Sequence, residues 1–108
     1  MKKGDIGVYE IRIENLQNKP DQRVALSLLR PDNSSLVTIQ ANELQYKVAN
    51  NARQIDFEPI QYFRPNDIFS CVVTLRHEEA AKGEFIASVI SSSQTTPVVS
   101  RLPIRVLP

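Results

Sequence analysis

Residues 54–77 read Gln-Ile-Asp-Phe-Glu-Pro-Ile-Gln-Tyr-Phe-Arg-Pro-Asn-Asp-Ile-Phe-Ser-Cys-Val-Val-Thr-Leu-Arg-His, and this stretch decides the fold. In its second half, apolar side chains occupy every other position from Phe69 to Leu75, while polar side chains fill most of the positions between them. This period of two is typical of a β-strand with one buried face and one largely solvated face. Pro59 and Pro65 bracket a bend ahead of this strand. The stretch therefore predicts two strands joined by a corner.

The same alternation recurs along the rest of the chain. Between Val8 and Asn15, the apolar residues Tyr9, Ile11 and Ile13 alternate with charged residues, which predicts another half-buried strand. Further predicted strands are 23–30, 36–39, 55–58, 85–90 and 98–106, and residues 41–51 are interpreted as a loop followed by a short strand.

Turn residues separate these runs at roughly the 8 to 12 residue spacing expected of a sandwich. No segment keeps a helical period over enough residues to predict an α-helix. Residues 78–83 favour a helix by composition, but they are too few to persist alone, so we expect a loose turn that leaves through Gly83 in a left-handed conformation. Pro103 suits an edge strand or a bulge. The sequence predicts an all-β fold in which about seven strands form a two-sheet antiparallel β-sandwich. Six side chains are expected to meet between the two sheets: Tyr9, Ile11, Ile13, Phe57, Phe69 and Val89.

Composition limits the chain to one small domain. Its 108 residues, 42% of them hydrophobic, are enough for a single core, so residues 1–108 are expected to form one domain. Thirteen basic and twelve acidic residues are scattered along the chain, which argues against nucleic acid as a partner. The charges that alternate through 10–14 argue against a signal peptide, and no run predicts membrane insertion. Cys71 is the only cysteine, so the chain forms no internal disulfide and its redox compartment stays open.

The order of these signals resembles a known family. Residues 4–15 are similar to the "G-D-x-x-x-Y-x-I-x-V-x-N" opening of immunoglobulin-like modules of the DUF11 and CARDB type. Residues 55–67 resemble the corner of that family, residues 83–92 its "G-x-y-x-x-x-A-x-V-x-S" strand, and residues 104–106 its last strand. Asn66 stands where the family has a turn glycine, and asparagine tolerates the positive φ that this position requires.

The resemblance implies an immunoglobulin-like fold and a role without catalysis. Modules of this family recur in bacterial and archaeal surface or exported proteins, where they act as spacers, adhesion modules or attachment domains. It therefore implies a domain cut from a larger protein at the cell surface or outside the cell, with neighbouring domains as its partners. The alternative is a recognition module that binds a protein or a glycan through its loops or an edge strand.

Each residue that could act as a nucleophile or a metal ligand also has a purely structural explanation. Cys71 has the inward parity of its strand, where a thiol is inert. His77 and Glu79 share one side of an extended chain, but two ligands rarely make a metal site, and a solvated loop is expected there. Ser91 and its two following serines lack a nucleophile elbow.

Two further groups suggest binding. Asp32-Asn33, Asn50-Asn51 and Asn66-Asp67 carry oxygen ligands that suit calcium at a sandwich end, but they lack the spacing of an EF-hand, and turn formation is the favoured explanation. Tyr62-Phe63-Arg64 suggests a stacking surface, but the chain has no tryptophan, and we expect this segment to plug the corner between the sheets. The sequence thus predicts no catalytic residue, no cofactor site and no metal site, and an enzyme is the least favoured of the three function classes.

Overall fold

The computed structural model describes residues 2–31, 34–41, 44–49, 53–78, 81–93 and 96–106. Within them the chain forms eight strands and no helix. The all-β prediction is confirmed, with one strand more than the seven or so expected. The strands are β1 (Ile6–Glu14), β2 (Ala25–Leu29), β3 (Ser34–Ala41), β4 (Tyr46–Ala49), β5 (Gln54–Phe57), β6 (Ile68–His77), β7 (Ala81–Ile90) and β8 (Val98–Val106).

The strands form two antiparallel sheets, as the sequence predicts. One sheet has three strands in the order β1-β6-β3, and the other has five in the order β4-β5-β2-β7-β8. The alternation that predicts β6 is observed directly, because its buried side chains occupy every second position from Phe69 to His77. Pro103 lies in β8, which is an edge strand of the described sheet, as the sequence predicts.

The strand order keeps part of the immunoglobulin arrangement. In an immunoglobulin constant domain, strands A, B, E and D form one sheet and strands C, F and G form the other. Here β4-β5-β2 corresponds to D-E-B, and β3-β6 corresponds to C-F. The first strand lies against β6, where an immunoglobulin domain has its last strand, and β7 lies beside β2, where that domain has its first strand.

The core lies between the sheets. Phe57 and Phe69, both expected there, are buried and their rings meet at 5.8 Å between centroids. Four other expected core residues, Tyr9, Ile11, Ile13 and Val89, pack against the core but stay partly exposed. The buried hydrophobic residues are Val24, Leu26, Leu28, Ile55, Phe57, Phe63, Phe69, Cys71, Val73, Leu75, Phe85 and Ile104.

Of three local predictions from the sequence, two are confirmed and one is wrong. Asn66 has φ +66°, as its place in the turn predicts, and its N–H donates to the carbonyl of Asn15. The short strand expected within 41–51 is β4. The left-handed exit at Gly83 is wrong: β7 already begins at Ala81, and Gly83 pairs with Ile104 in the sheet. Pairing along the whole of β8 stabilises an extended backbone where composition alone favours a turn.

The two ends of the sandwich are distinct. One, the His77 end, holds the start of β1, the end of β6 and the end of β8, because Ile6 pairs with Arg76 and Val106 pairs with Ala81. The other, the Asp21 end, holds the loop between β1 and β2. There the backbone of Asp21 exchanges hydrogen bonds of 2.8 Å with Phe63. The chain therefore enters β1 and leaves β8 at the same end.

Truncating a core side chain tests this packing. Leu28 has no exposed surface, so Leu28→Ala leaves a cavity between the sheets, and we expect it to lower the free energy of unfolding by about 2–5 kcal/mol. Leu16→Ala is the matched control: Leu16 is 83% exposed, and a change within about 0.5 kcal/mol is expected. Urea denaturation measures both, and equal costs would contradict the assignment of the core.

Candidate functional site

A long cleft runs along one side of the sandwich, between β1 of one sheet and β8 of the other. Its volume is about 700 Å³. The lining is mainly apolar, and on β1 it includes every residue from Val8 to Glu14. Its apolar residues include Ile11, Ile13, Ala87, Val89, Val98 and Leu102.

The cleft exists because the two sheets differ in width. The rings of Tyr9 and Phe85 meet at 5.3 Å, which places β1 over β7. The strand after β7 in the five-stranded sheet is β8, whereas no described strand follows β1 in the three-stranded sheet. The inward face of β8 is consequently buried at Ile104 but open at Leu102 and Val98, which are 50% and 56% exposed. The described strands therefore leave one strand position opposite β8 vacant.

Charged side chains line the outer rim of this vacant position. On β1 the side chains of Glu10, Arg12 and Glu14 point away from the core and are exposed. On the outer face of the five-stranded sheet, away from the cleft, the guanidinium of Arg101 is 3.0 Å from the carboxylate of Glu84 in an exposed ion pair. The cleft is thus apolar inside, and its β1 rim carries alternating charges.

A polar pair closes the cleft at the His77 end. The side chain of His77 is completely buried, and its Nε2 is 2.8 Å from the hydroxyl of Tyr9. The Tyr9 ring reaches that far by lying back along β1 over Gly7, where a Cβ would come within 2.5 Å of the Tyr9 oxygen. Glycine at position 7 is therefore what admits this contact.

His77 corrects an expectation from the sequence. We expected a solvated loop, but β6 continues through His77, whose backbone N–H donates to the carbonyl of Asp5. Its Nδ1 has no hydrogen-bond partner. Burial lowers the pKa of His77, against the opposing attraction of the Asp5 carboxylate. A buried imidazole of this kind disfavours its own charged form.

The pH dependence of stability tests this burial. Above the ordinary histidine pKa of about 6.5, His77 is neutral whether the chain is folded or unfolded. Below it the unfolded chain takes up a proton that the folded domain resists, so stability falls with falling pH. We expect a loss of at most about 1.4 kcal/mol per pH unit as the pH falls below about 6.5. His77→Gln, which removes the only histidine, flattens this slope in urea denaturation; an unchanged slope would contradict the assignment.

A second polar cluster ties two loops together at the Asp21 end. Asp21 is buried, and its Oδ2 accepts hydrogen bonds from the hydroxyls of Ser91 and Ser93 at 2.7 and 2.8 Å. The backbone N–H of Gln22 donates to Oδ1 at 2.8 Å. Burial raises the pKa of Asp21, but these hydrogen bonds outweigh it and leave the pKa below its usual value. The cluster joins the loop after β1 to the loop after β7.

Removal of one hydroxyl tests this tie. Ser91→Ala deletes a hydrogen bond to a buried carboxylate, and we expect it to lower the free energy of unfolding by about 1.5–3 kcal/mol. Ser92→Ala is the control, because Ser92 is exposed and its change is expected to lie within about 0.5 kcal/mol. Chemical denaturation at neutral pH measures both variants. Equal and small losses of unfolding free energy in the two variants would show that the hydrogen bonds to Asp21 do not stabilise the contact between the two loops.

The remaining candidates from the sequence lie apart from one another. Burial raises the pKa of the Cys71 thiol to about 11. Ser91 and His77 are at opposite ends of the sandwich, so they form no catalytic pair. Phe63 plugs the corner as expected, whereas Tyr62 beside it is 55% exposed. The two residues of the third polar turn, Asn66-Asp67, brace the corner: the N–H of Arg64 donates to the Asp67 carboxylate at 2.9 Å.

Three expected candidates, Asp32-Asn33, Asn50-Asn51 and Glu79, lie outside the described residues. Among those that the structure describes, no three side chains of His, Cys, Asp or Glu come together as a metal site. The described part of the chain also has no helix that could cross a membrane. Sequence reasoning missed the cleft, which is made by the unequal widths of two sheets and has no motif of its own.

Known proteins resemble this chain in fold alone. No family model matches it, and no curated protein does. Among solved structures, the chain is similar to AvmM, which catalyses macrocyclization in alchivemycin A biosynthesis. The TM-score is 0.61 at 8% sequence identity, and the match covers 98% of this chain and 82% of AvmM. Identity this low supports a shared sandwich architecture and nothing about activity.

Proposed function

We propose that this domain is a non-catalytic module of a larger surface or exported protein, which it serves by presenting a binding face away from the neighbouring domains. The observation that carries the proposal is the position of the strand ends: β1 begins and β8 ends at the His77 end. Flanking segments attached there leave the Asp21 end and the long sides of the sandwich exposed. The module is therefore better suited to project from its parent than to extend a chain of domains in line.

The chemistry of the described side chains supports a role without catalysis. The Cys71 thiol is buried with a raised pKa, the His77 imidazole beside the Tyr9 hydroxyl has no exposed surface, and Ser91 is hydrogen-bonded to a carboxylate at the opposite end from His77. A nucleophile needs an adjacent base and access to substrate. AvmM is an enzyme, but the likeness to it extends only to the fold. Surface or extracellular placement rests on the resemblance to DUF11 and CARDB modules.

A second candidate function is recognition, and the cleft favours it. An apolar groove bordered by polar groups is the common form of a binding site. The groove here runs beside an edge strand, which is the element that captures extended peptides by adding a strand to a sheet. Recognition is compatible with the first proposal, because a projecting module is able to present such a groove.

Fusion of folded reporter domains tests the geometry of attachment. We expect reporters placed before β1 and after β8 to lie side by side, because both attachment points are at one end of a body 48 Å long and 23 Å wide. Small-angle scattering measures the separation of the reporters. A separation that includes the full long axis, with one reporter at each end, would contradict the projecting arrangement.

An activity screen tests the absence of catalysis. The fused and unfused domains are both expected to show no turnover on a panel of ester, glycoside and peptide substrates. Saturable turnover that survives repurification, and that is lost when a residue of the cleft is changed, would overturn the non-catalytic proposal.

A further inference from the structure

The vacant strand position between β1 and β8 has the features of a peptide site. Its two sides are a free sheet edge and an uncovered apolar face, and each of them restricts what fits. The inference below rests on the recognition function proposed above and names the class of partner.

The free edge of β1 offers a row of backbone hydrogen-bonding groups. At one end of the strand, the N–H and C=O of Asn15 bond toward the β6 side, to Asp67 and Asn66. At the other end the C=O of Asp5 accepts from His77 of β6. Because backbone groups alternate in direction along an antiparallel strand, the odd-numbered residues face β6 and the even-numbered residues face outward. Outward N–H and C=O groups therefore belong to Val8, Glu10, Arg12 and Glu14.

The uncovered face of β8 specifies apolar side chains. A strand hydrogen-bonded to the β1 edge lies over β8 in the way that β1 lies over β7. Its residues opposite Tyr9, Ile11 and Ile13 point inward, toward a face of β8 on which Ser100 lies between Val98 and Leu102, the latter two about half exposed without it. Those positions of the incoming strand must be apolar.

The outer face of β1 specifies charges. Side chains directly opposite each other on one face of a sheet attract when their charges differ and repel when they are alike. Glu10, Arg12 and Glu14 therefore select a strand that carries basic, acidic and basic residues in those positions. The order of charges is the same read in either direction, so it fits parallel and antiparallel strands alike.

A second folded copy of this domain does not fit the position. Pairing of two β1 edges would bring the β7 and β8 strands of the copy into the space that β8 already occupies, since the five-stranded sheet extends past β1. The vacant position has room for one strand, and β8 of the other sheet covers one side of it. An isolated extended segment fits it, whereas an edge with its own overhanging layer does not.

We propose that the vacant position between β1 and β8 binds an extended peptide segment of another protein, with apolar residues at alternate positions and a basic, acidic, basic pattern on its outer face. Binding completes the three-stranded sheet by β-augmentation and covers the inward face of β8. Main-chain hydrogen bonds to β1 supply affinity, and the charges on β1 supply specificity.

The test uses a designed probe peptide, acetyl-Lys-Ile-Glu-Ile-Lys-Val-Thr-amide, in calorimetric titration of the domain. A charge-reversed peptide, acetyl-Glu-Ile-Lys-Ile-Glu-Val-Thr-amide, is the control ligand. We expect the first to bind and the second to bind at least about tenfold more weakly. Equal affinity for the two peptides, or no binding of the first at millimolar concentration, overturns the proposal.

Variants of the domain locate the site. Leu102→Lys places an ammonium under the incoming strand and is expected to weaken binding at least about tenfold, whereas Val99→Lys, on the other face of β8 and 47% exposed, leaves it unchanged. Arg12→Pro removes an outward N–H, and its comparison with Arg12→Ala separates the loss of that donor from the loss of charge. Equal effects of Leu102→Lys and Val99→Lys overturn the assignment to the cleft.

Other outcomes distinguish this inference from the function on which it rests. A natural partner whose binding survives Leu102→Lys but fails when Tyr62 or Ser92 is changed would place recognition at the Asp21 end, so the cleft proposal fails while recognition stands. Reversible dimers in sedimentation that Arg12→Pro abolishes would make a second copy the occupant and would overturn the choice of partner. Far-ultraviolet circular dichroism confirms that each variant is folded.

Discussion

The alternating apolar face of β6 holds the two sheets together. This strand is the middle of its sheet, with β1 and β3 on either side, and its inward side chains from Phe69 to Leu75 are all buried. Burial of apolar surface is the main favourable term in folding, and this domain has no disulfide to add to it. The position of every other strand follows from how it covers this face or extends its sheet.

The three-stranded sheet is too narrow to cover the five-stranded sheet, and this difference in width leaves the cleft. The buried core is continuous where β6 and its neighbours lie over the middle of the larger sheet, and it ends where the smaller sheet ends. Beyond that line Val98 and Leu102 on the inward face of β8 have no covering layer. An exposed apolar strip beside a free strand edge normally promotes unwanted association with other chains. The charges on β1 and the overhang of β8 limit which strands are able to use it.

Polar groups hold the ends of the sandwich. At one end the Asp21 carboxylate accepts hydrogen bonds from the hydroxyls of Ser91 and Ser93 in the loop after β7. These hydrogen bonds compensate for the burial of the carboxylate. At the other end His77 is buried with only one of its ring nitrogens hydrogen-bonded, which favours the neutral imidazole in the folded domain. Both are structural features of loops and strand ends.

The sequence by itself determined the class of fold, the inward residues of β6, the turn at Asn66 and the burial of Cys71, because strand alternation and turn preferences act over a few neighbouring residues. Tertiary structure alone decided the burial of His77, the extension of β7 through Gly83 and the carboxylate tie between the loops, since each depends on residues distant in the chain. The cleft belongs to the second group as well. It arises from which strands pair and how many each sheet receives, and no local pattern records the width of a sheet.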